Sequence, residues 1–257
     1  MTRLRIIGLV ILGLLILVTI SGISYQAVEA RVDARQFPQE GKSVDIGGLK
    51  LNIDCTGQGS PTIILESGLE VPASGWRLVQ PEIAKFTRVC SYDRAGYGWS
   101  DPGSMPRTST RIATELHTLL QKAGENPPYV LVGHSFGAAN VRVYNGLYPN
   151  EVVGMVLVEG GYDGLRLPAS IKKLSDGDLR RRQRDRVWTR IRYRLGISRF
   201  LARKAIENPA LPLSVRQWRY LQTEPKFVEA TTSEVEHLAL FDPRGVAGNE
   251  GRRDARQ

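Results

Sequence analysis

The spacing of apolar residues divides the chain into segments of different character. From Ile6 to Tyr25 no residue is charged, and the heart of that run, IIGLVILGLLILVTI, is almost entirely aliphatic. About 20 such residues form a helix about 30 Å long, the thickness of a bilayer's hydrocarbon layer. Residues 26–41 (QAVEARVDARQFPQEG) are polar and mixed in charge, the pattern of a linker. Short apolar runs then recur at 43–46, 49–55, 62–65, 88–92, 129–133 and 153–158, which predicts six strands. The first two flank Gly47-Gly48 and form a hairpin, whereas later ones alternate with helical patterns. In residues 109–123, for example, Ile112, Leu116, Leu119 and Leu120 fall on one helical face. This alternation predicts an α/β fold, a mostly parallel sheet flanked by helices over residues 42–164. From 165 to 240 the chain is Arg-rich and helix-prone, interrupted by Pro209 and Pro212, and reads as a helical cap. Residues 241–257 (FDPRGVAGNEGRRDARQ) have scarcely an apolar run and predict a disordered tail.

Composition narrows the function classes. With 42% hydrophobic and 24% charged residues the chain is of globular type, and 35 Lys+Arg against 26 Asp+Glu give a formal charge of +9. Such a charge favours anionic surfaces. The most basic run, residues 179–195 (LRRRQRDRVWTRIRYRL), could suggest nucleic acid. Val187, Trp188, Ile191, Tyr193 and Leu195 within it instead predict an amphipathic helix with its apolar face packed inward and arginines outward, in solvent or near anionic lipid. No nucleic-acid partner is expected. Cys55 and Cys90 are the only cysteines and have no metal-ligand spacing, so no metal site is expected. They either pair, in an oxidising compartment, or are two small buried residues on separate strands.

The amino-terminal segment has two readings. Its length favours a retained single-pass anchor, 1–25. Arg3, Arg5 and a possible cleavage site ending at Ala30 allow a signal peptide and a secreted product. The basic residues ahead of the run predict an inside amino terminus and an extracytoplasmic domain, although Arg31, Arg35 and Lys42 weaken the asymmetry.

The chemistry centres on GHSFG, residues 133–137, which follows the apolar run YVLV and precedes a helical pattern. In a strand–turn–helix elbow a serine sits at a tight turn, and the residues two positions either side must be small to clear the neighbouring strand and helix. Ser135 is therefore the candidate nucleophile. The amide of Phe136, at the helix start, is a candidate oxyanion donor. Gly68 and Leu69, in the loop after the third strand, are candidates for the second.

The segment CSYDRAGYGWSDPG, residues 90–103, together with LESG, YVLVGHSFGAANVRVY and GMVLVEG, resembles the α/β-hydrolase fold family of serine esterases and related hydrolases, from about Lys42 to about Gly164. The resemblance implies strand two beside strand four, a cap after strand six, no cofactor, and a small ester-like substrate cleaved through a Ser135 acyl-enzyme. One departure is Glu66-Ser67-Gly68, where many members have His-Gly.

A serine hydroxyl needs a base to take its proton. The chain has three histidines. His134 reads as a packing neighbour of Ser135 and His117 as a helix residue. His237 follows the nucleophile but lies in the cap pattern with no strand before it. In the family the acid follows strand seven and the histidine strand eight, and neither strand is legible here. His237 and Glu159, at the end of strand six, are the remaining candidates for base and acid. The expectation is a chain that stops short of the family's full triad, truncated rather than completed by a partner, with an exposed sheet edge at strand six. Its activity is accordingly weak or absent. The alternative is a membrane-anchored binding or interaction protein that keeps the pocket without turnover.

Overall fold

Six strands form one sheet in the order β1-β2-β4-β3-β5-β6. The computed structural model describes residues 2–159 and 176–238. The strands are β1 (Lys42–Asp45), β2 (Lys50–Thr56), β3 (Thr62–Glu66), β4 (Val89–Tyr92), β5 (Tyr129–His134) and β6 (Val152–Val158). Each lies within one residue of its expected run. The β1–β2 hairpin turns at Gly47 and Gly48, both at positive φ, because the Asp45 carboxylate accepts from their amides at 2.8 and 2.7 Å. The β2–β4 pairing is antiparallel, and β4–β3, β3–β5 and β5–β6 are parallel. The adjacency of β2 and β4 is as expected.

The helices that cover the sheet begin and end where local chemistry dictates. Helix α3 (Ser109–Ala123) starts at Thr108, whose hydroxyl accepts from Arg111 N at 3.2 Å, and ends at Gly124 in the left-handed conformation. It buries Ile112, Ala113, Leu116, Leu119 and Leu120, and the last three share a core with Leu51, Ile64, Leu131 and Tyr144. Helix α4 (Phe136–Leu147) follows β5 directly, and α2 (Gln80–Ile83) is a single turn after β3. Strand β6 is the last in the sheet among the described residues, with Val153, Met155, Val156 and Val158 exposed.

Cys55 and Cys90 face each other in the β2–β4 register and form a disulfide, so the paired reading holds. The two are 35 residues apart, and closing a loop of that length removes enough unfolded-chain entropy to stabilise the fold by about 4 kcal/mol. Reduction, or the double substitution Cys55→Ala/Cys90→Ala, is therefore expected to lower the urea midpoint of the sheet domain by the corresponding amount. Equal midpoints with and without reductant would contradict it.

Two compact units emerge, Met1–Gln39 with Leu179–Val228, and Glu40–Asp178 with Glu229–Gln257. The first contains α1 (Thr2–Gln36), the greater part of α5 (Asp176–Arg194), α6 (Ile197–Ile206) and α7 (Leu213–Leu221). Residues 26–41, expected as a linker, continue helix α1 as far as Gln36. The reason is tertiary: polar residues in this stretch find partners far away in sequence. Gln26 accepts from Arg199 Nε at 3.1 Å, Asp33 and Glu224 pair with the same buried guanidinium, and Phe37 stacks on Tyr220 at 5.6 Å. Burial pushes the Asp33 carboxyl up even though Arg199 opposes the shift.

The second unit holds the sheet, α2 to α4, and most of the last helix, α8 (Pro225–Leu238). The region expected as one cap, 165–240, thus divides, with its final helix joining the sheet unit. The beginning of that region and the predicted tail, 241–257, lie outside the described residues.

Candidate active site

Ser135 stands between β5 and α4 at φ 51° and ψ −118°, a positive-φ conformation outside the left-handed helical region that a non-glycine residue rarely adopts. Its amide donates to Val158 O at 2.9 Å, and its carbonyl accepts from Ala138 N at 2.9 Å, which fixes the turn from both sides. The flanking glycines are required by contact. A Cβ at Gly133 would lie 2.6 Å from Gly137 O, and one at Gly137 would lie 2.4 Å from Glu66 O. Phe136 begins α4, where backbone N–H groups have no intrahelical acceptor and the helix end carries partial positive charge.

The loop after β3 reaches the same place. Glu66 pairs with Gly133 in the β3–β5 register, so Gly68 and Leu69 follow directly beside the elbow. Gly68 is close to His134, since a Cβ there would be 2.8 Å from His134 Nδ1, and Leu69 packs against Ile112, Phe136 and Ala139. Glu70 takes a positive φ of 61°, and its amide donates to Tyr97 Oη at 3.2 Å.

Beneath this loop lies a buried ionic network. Arg94 donates from Nη1 to Glu66 Oε1 at 2.8 Å and to Ser67 O at 2.7 Å, and from Nη2 to Gly68 O at 2.9 Å. Its Nε donates to Glu234 Oε1 at 3.0 Å, and Tyr97 Oη donates to Glu234 Oε2 at 2.6 Å. Glu66 also accepts from Asn140 Nδ2 at 3.0 Å and from the Tyr92 hydroxyl. Burial pushes the Glu66 carboxyl up, against the pull of Arg94 and the donated hydrogen bonds. The residue that departs from the family pattern is therefore an acceptor in a network that holds the carbonyls of residues 67 and 68.

Sequence reasoning identified the loop but not Arg94, Tyr97, Asn140 or Glu234. Only the segment DRAGYGWSD gave a signal. Its Asp93 is buried and accepts from Ala73 N, Asn52 Nδ2 and Trp99 N, and a Cβ at Gly98 would be 2.1 Å from Asp93 Oδ2.

The candidate acid and bases are placed as follows. His134 Nε2 lies 3.4 Å from Glu159 Oε2, and its ring meets Trp76 edge-on, which is a packing position beside the elbow. Glu159 sits just past β6 at φ 53° with a largely exposed carboxylate. His117 stacks on Tyr148 at 3.8 Å and bonds Glu151 at 3.2 Å. His237 lies on α8, with Nδ1 2.7 Å from Ser233 O; a carbonyl can only accept, so the neutral ring carries its proton on Nδ1 and leaves Nε2 as acceptor. Among the described residues no histidine is hydrogen-bonded to Ser135. The structure brings Ser135, Phe136, Gly68 and Leu69 together and leaves His237 and Glu159 with other partners.

A profile of the alpha/beta hydrolase fold matches residues 61–197, more than half of the chain, which therefore belongs to that family. The chain is 26% identical over 160 residues to protein YbdG of Bacillus subtilis (strain 168), covering 62% of this chain and 49% of the relative. It is 30% identical over 133 residues to 2-hydroxymuconate semialdehyde hydrolase of Pseudomonas sp., covering 51% and 46%. The chain thus spans about half the length of these curated relatives. Among solved structures, Cfl2 of Burkholderia cenocepacia matches with a TM-score of 0.58 over 80% of this chain and 74% of its own, at 22% identity, a likeness of fold.

Proposed function

We propose that the chain is a membrane-anchored serine hydrolase acting on a small-molecule ester or similar acyl bond, with Ser135 forming the acyl-enzyme. The observation that carries this reading is the Ser135 backbone, held at positive φ in a tight turn between two glycines that admit no side chain, at the start of α4. Ser135 Oγ adds to the acyl carbonyl carbon as its proton passes to a base. The resulting oxyanion is met by the amide of Phe136 and by those of Gly68 and Leu69. Collapse expels the alcohol, and water then releases the acid. His237 is the candidate base because its Nε2 is free to accept, and Glu159 the candidate acid. Each has another partner in the described residues, which supports slow acyl transfer by these residues alone. The same observation favours a second reading, a binding protein that retains the pocket without turnover.

The anchor reading rests on α1. Its apolar part is exposed from Leu4 to Ile23, and among the described residues it is the one helix long and apolar enough to cross a membrane. The possible cleavage site ending at Ala30 lies inside the continuous helix, between the anchored side chains of Gln26 and Asp33, which supports retention over cleavage and secretion. The Cys55–Cys90 disulfide supports an extracytoplasmic domain.

The test is labelling of the full chain with a fluorophosphonate, read by intact mass beside Ser135→Ala. Labelling of the wild type that disappears in Ser135→Ala supports the hydrolase, and His237→Ala then asks whether His237 is the base. A folded chain that takes up no probe supports the binding reading.

A further inference from the structure

The apolar side of the Arg-rich helix does not face inward. Val187 (55% exposed), Trp188 (64%) and Ile191 (38%) on α5 are open, contrary to the inward packing that their spacing predicted. Leu195 of that set packs closely on α1: a Cβ at Gly22 would lie 2.9 Å from Leu195 O. Helix α6 adds a second open stripe, Ile197, Phe200 (65%) and Leu201 (68%), at helical spacing, while its opposite side is anchored by buried Arg199.

The position of these stripes along α1 decides what covers them. The apolar run of α1 gives way to polar residues at Ser24–Gln26 and the first charge after it is Glu29, so on the anchor reading residues 24–29 approach the headgroups. The α5–α6 junction packs at that level. Gly196 approaches the Tyr25 ring, where a Cβ would lie 2.7 Å from Cδ1, and Phe200 meets Tyr25 edge-on at 6.4 Å. Beyond it, Arg199 binds Gln26 and Asp33, and Arg203 binds Glu29 at 3.3 Å, so α6 is tied to α1 through its next turns. Exposed Arg190 and Arg192 accompany the stripe on α5. Apolar side chains with arginines, held at the depth of the headgroups, match an interfacial helix on anionic lipid.

We infer that α5 and α6 form a platform in the bilayer interface. On this reading Trp188, Phe200 and Leu201 enter the leaflet from which α1 emerges, and Arg190 and Arg192 bind anionic headgroups. The inference rests on the anchor reading of α1 and is independent of Ser135 chemistry.

The experiment uses the full chain in vesicles of phosphatidylcholine with phosphatidylglycerol. Cys55 and Cys90 are bonded to each other, so a single introduced cysteine is the only free thiol. Nitroxide labels at Trp188→Cys and Phe200→Cys are compared with Leu14→Cys in the apolar run and with Lys85→Cys, an exposed site on the sheet unit. The readout is accessibility to oxygen, which partitions into lipid, relative to a water-soluble nickel chelate. The expected result is a ratio at 188 and 200 several-fold above that at 85, below that at 14, and falling when phosphatidylglycerol is omitted. Labels at 188 and 200 that match 85 overturn the platform, as would protection from both reagents, which signals a protein covering such as a second copy. If the label at 14 is itself aqueous, the anchor reading fails and the platform with it. A lipid-exposed label at 14 beside aqueous labels at 188 and 200 sinks the platform alone.

Discussion

Replacing Arg94 with leucine is expected to destabilise the sheet unit by about 3–5 kcal/mol, because it leaves the Glu66 and Glu234 carboxylates buried without their cation. Native domains are stable by only about 5–15 kcal/mol, so a large share of the stability margin would be lost. Urea unfolding followed by circular dichroism would read the loss. Arg94→Lys is expected to recover little of it, since one ammonium cannot reach two carboxylates and the carbonyls of Ser67 and Gly68 as the guanidinium fork does. Glu234→Gln, which keeps an acceptor for Tyr97, should cost less. A wild-type urea midpoint for Arg94→Leu would mean that water replaces the guanidinium and that the network contributes little.

The second large effect concerns the elbow. Gly137→Ala is expected to cost about 3 kcal/mol or more, because its Cβ would lie 2.4 Å from Glu66 O and 2.7 Å from Ser67 O, both backbone atoms that move only if β3 or α4 moves. The useful comparison is Gly124→Ala. Gly137 lies inside α4 without a positive φ, so its cost is steric alone; Gly124 has a positive φ, 81°, but nothing lies within 4 Å of an added Cβ, so its cost should be only the left-handed backbone preference, about 1–2 kcal/mol. Thermal or urea midpoints of the two variants side by side would check the ordering. A loss at Gly137→Ala no larger than that at Gly124→Ala would show that the contact with the Glu66 and Ser67 carbonyls relaxes. If Gly137→Ala folds, its fluorophosphonate labelling should fall as well, since relief of the clash displaces Ser135 from its turn.

Much of this molecule was legible before any coordinates. Six strands and α3 could be placed because each carries its own signal: apolar runs of strand length and a helical face at Ile112, Leu116, Leu119 and Leu120. The elbow could be read because its steric demand, two small residues flanking a serine, is written in five consecutive positions.

What stayed hidden depends on partners far apart in the chain. Arg94 and Glu234 are 140 residues apart, and nothing in the pattern around either says that they meet under the loop at Gly68. Residues 26–36 looked like a linker because their polar side chains count as loop-forming until Arg199 and Arg203 arrive to satisfy Gln26, Asp33 and Glu29. Periodicity placed Val187, Trp188 and Ile191 on one side of a helix; it could not say whether that side meets protein, water or lipid. The sequence by itself determined the local geometry, strands and elbow, where neighbouring residues impose the conformation. The tertiary structure decided which buried charges are paired and where the apolar side of α5 points, because those outcomes are set by side chains that the chain order keeps apart.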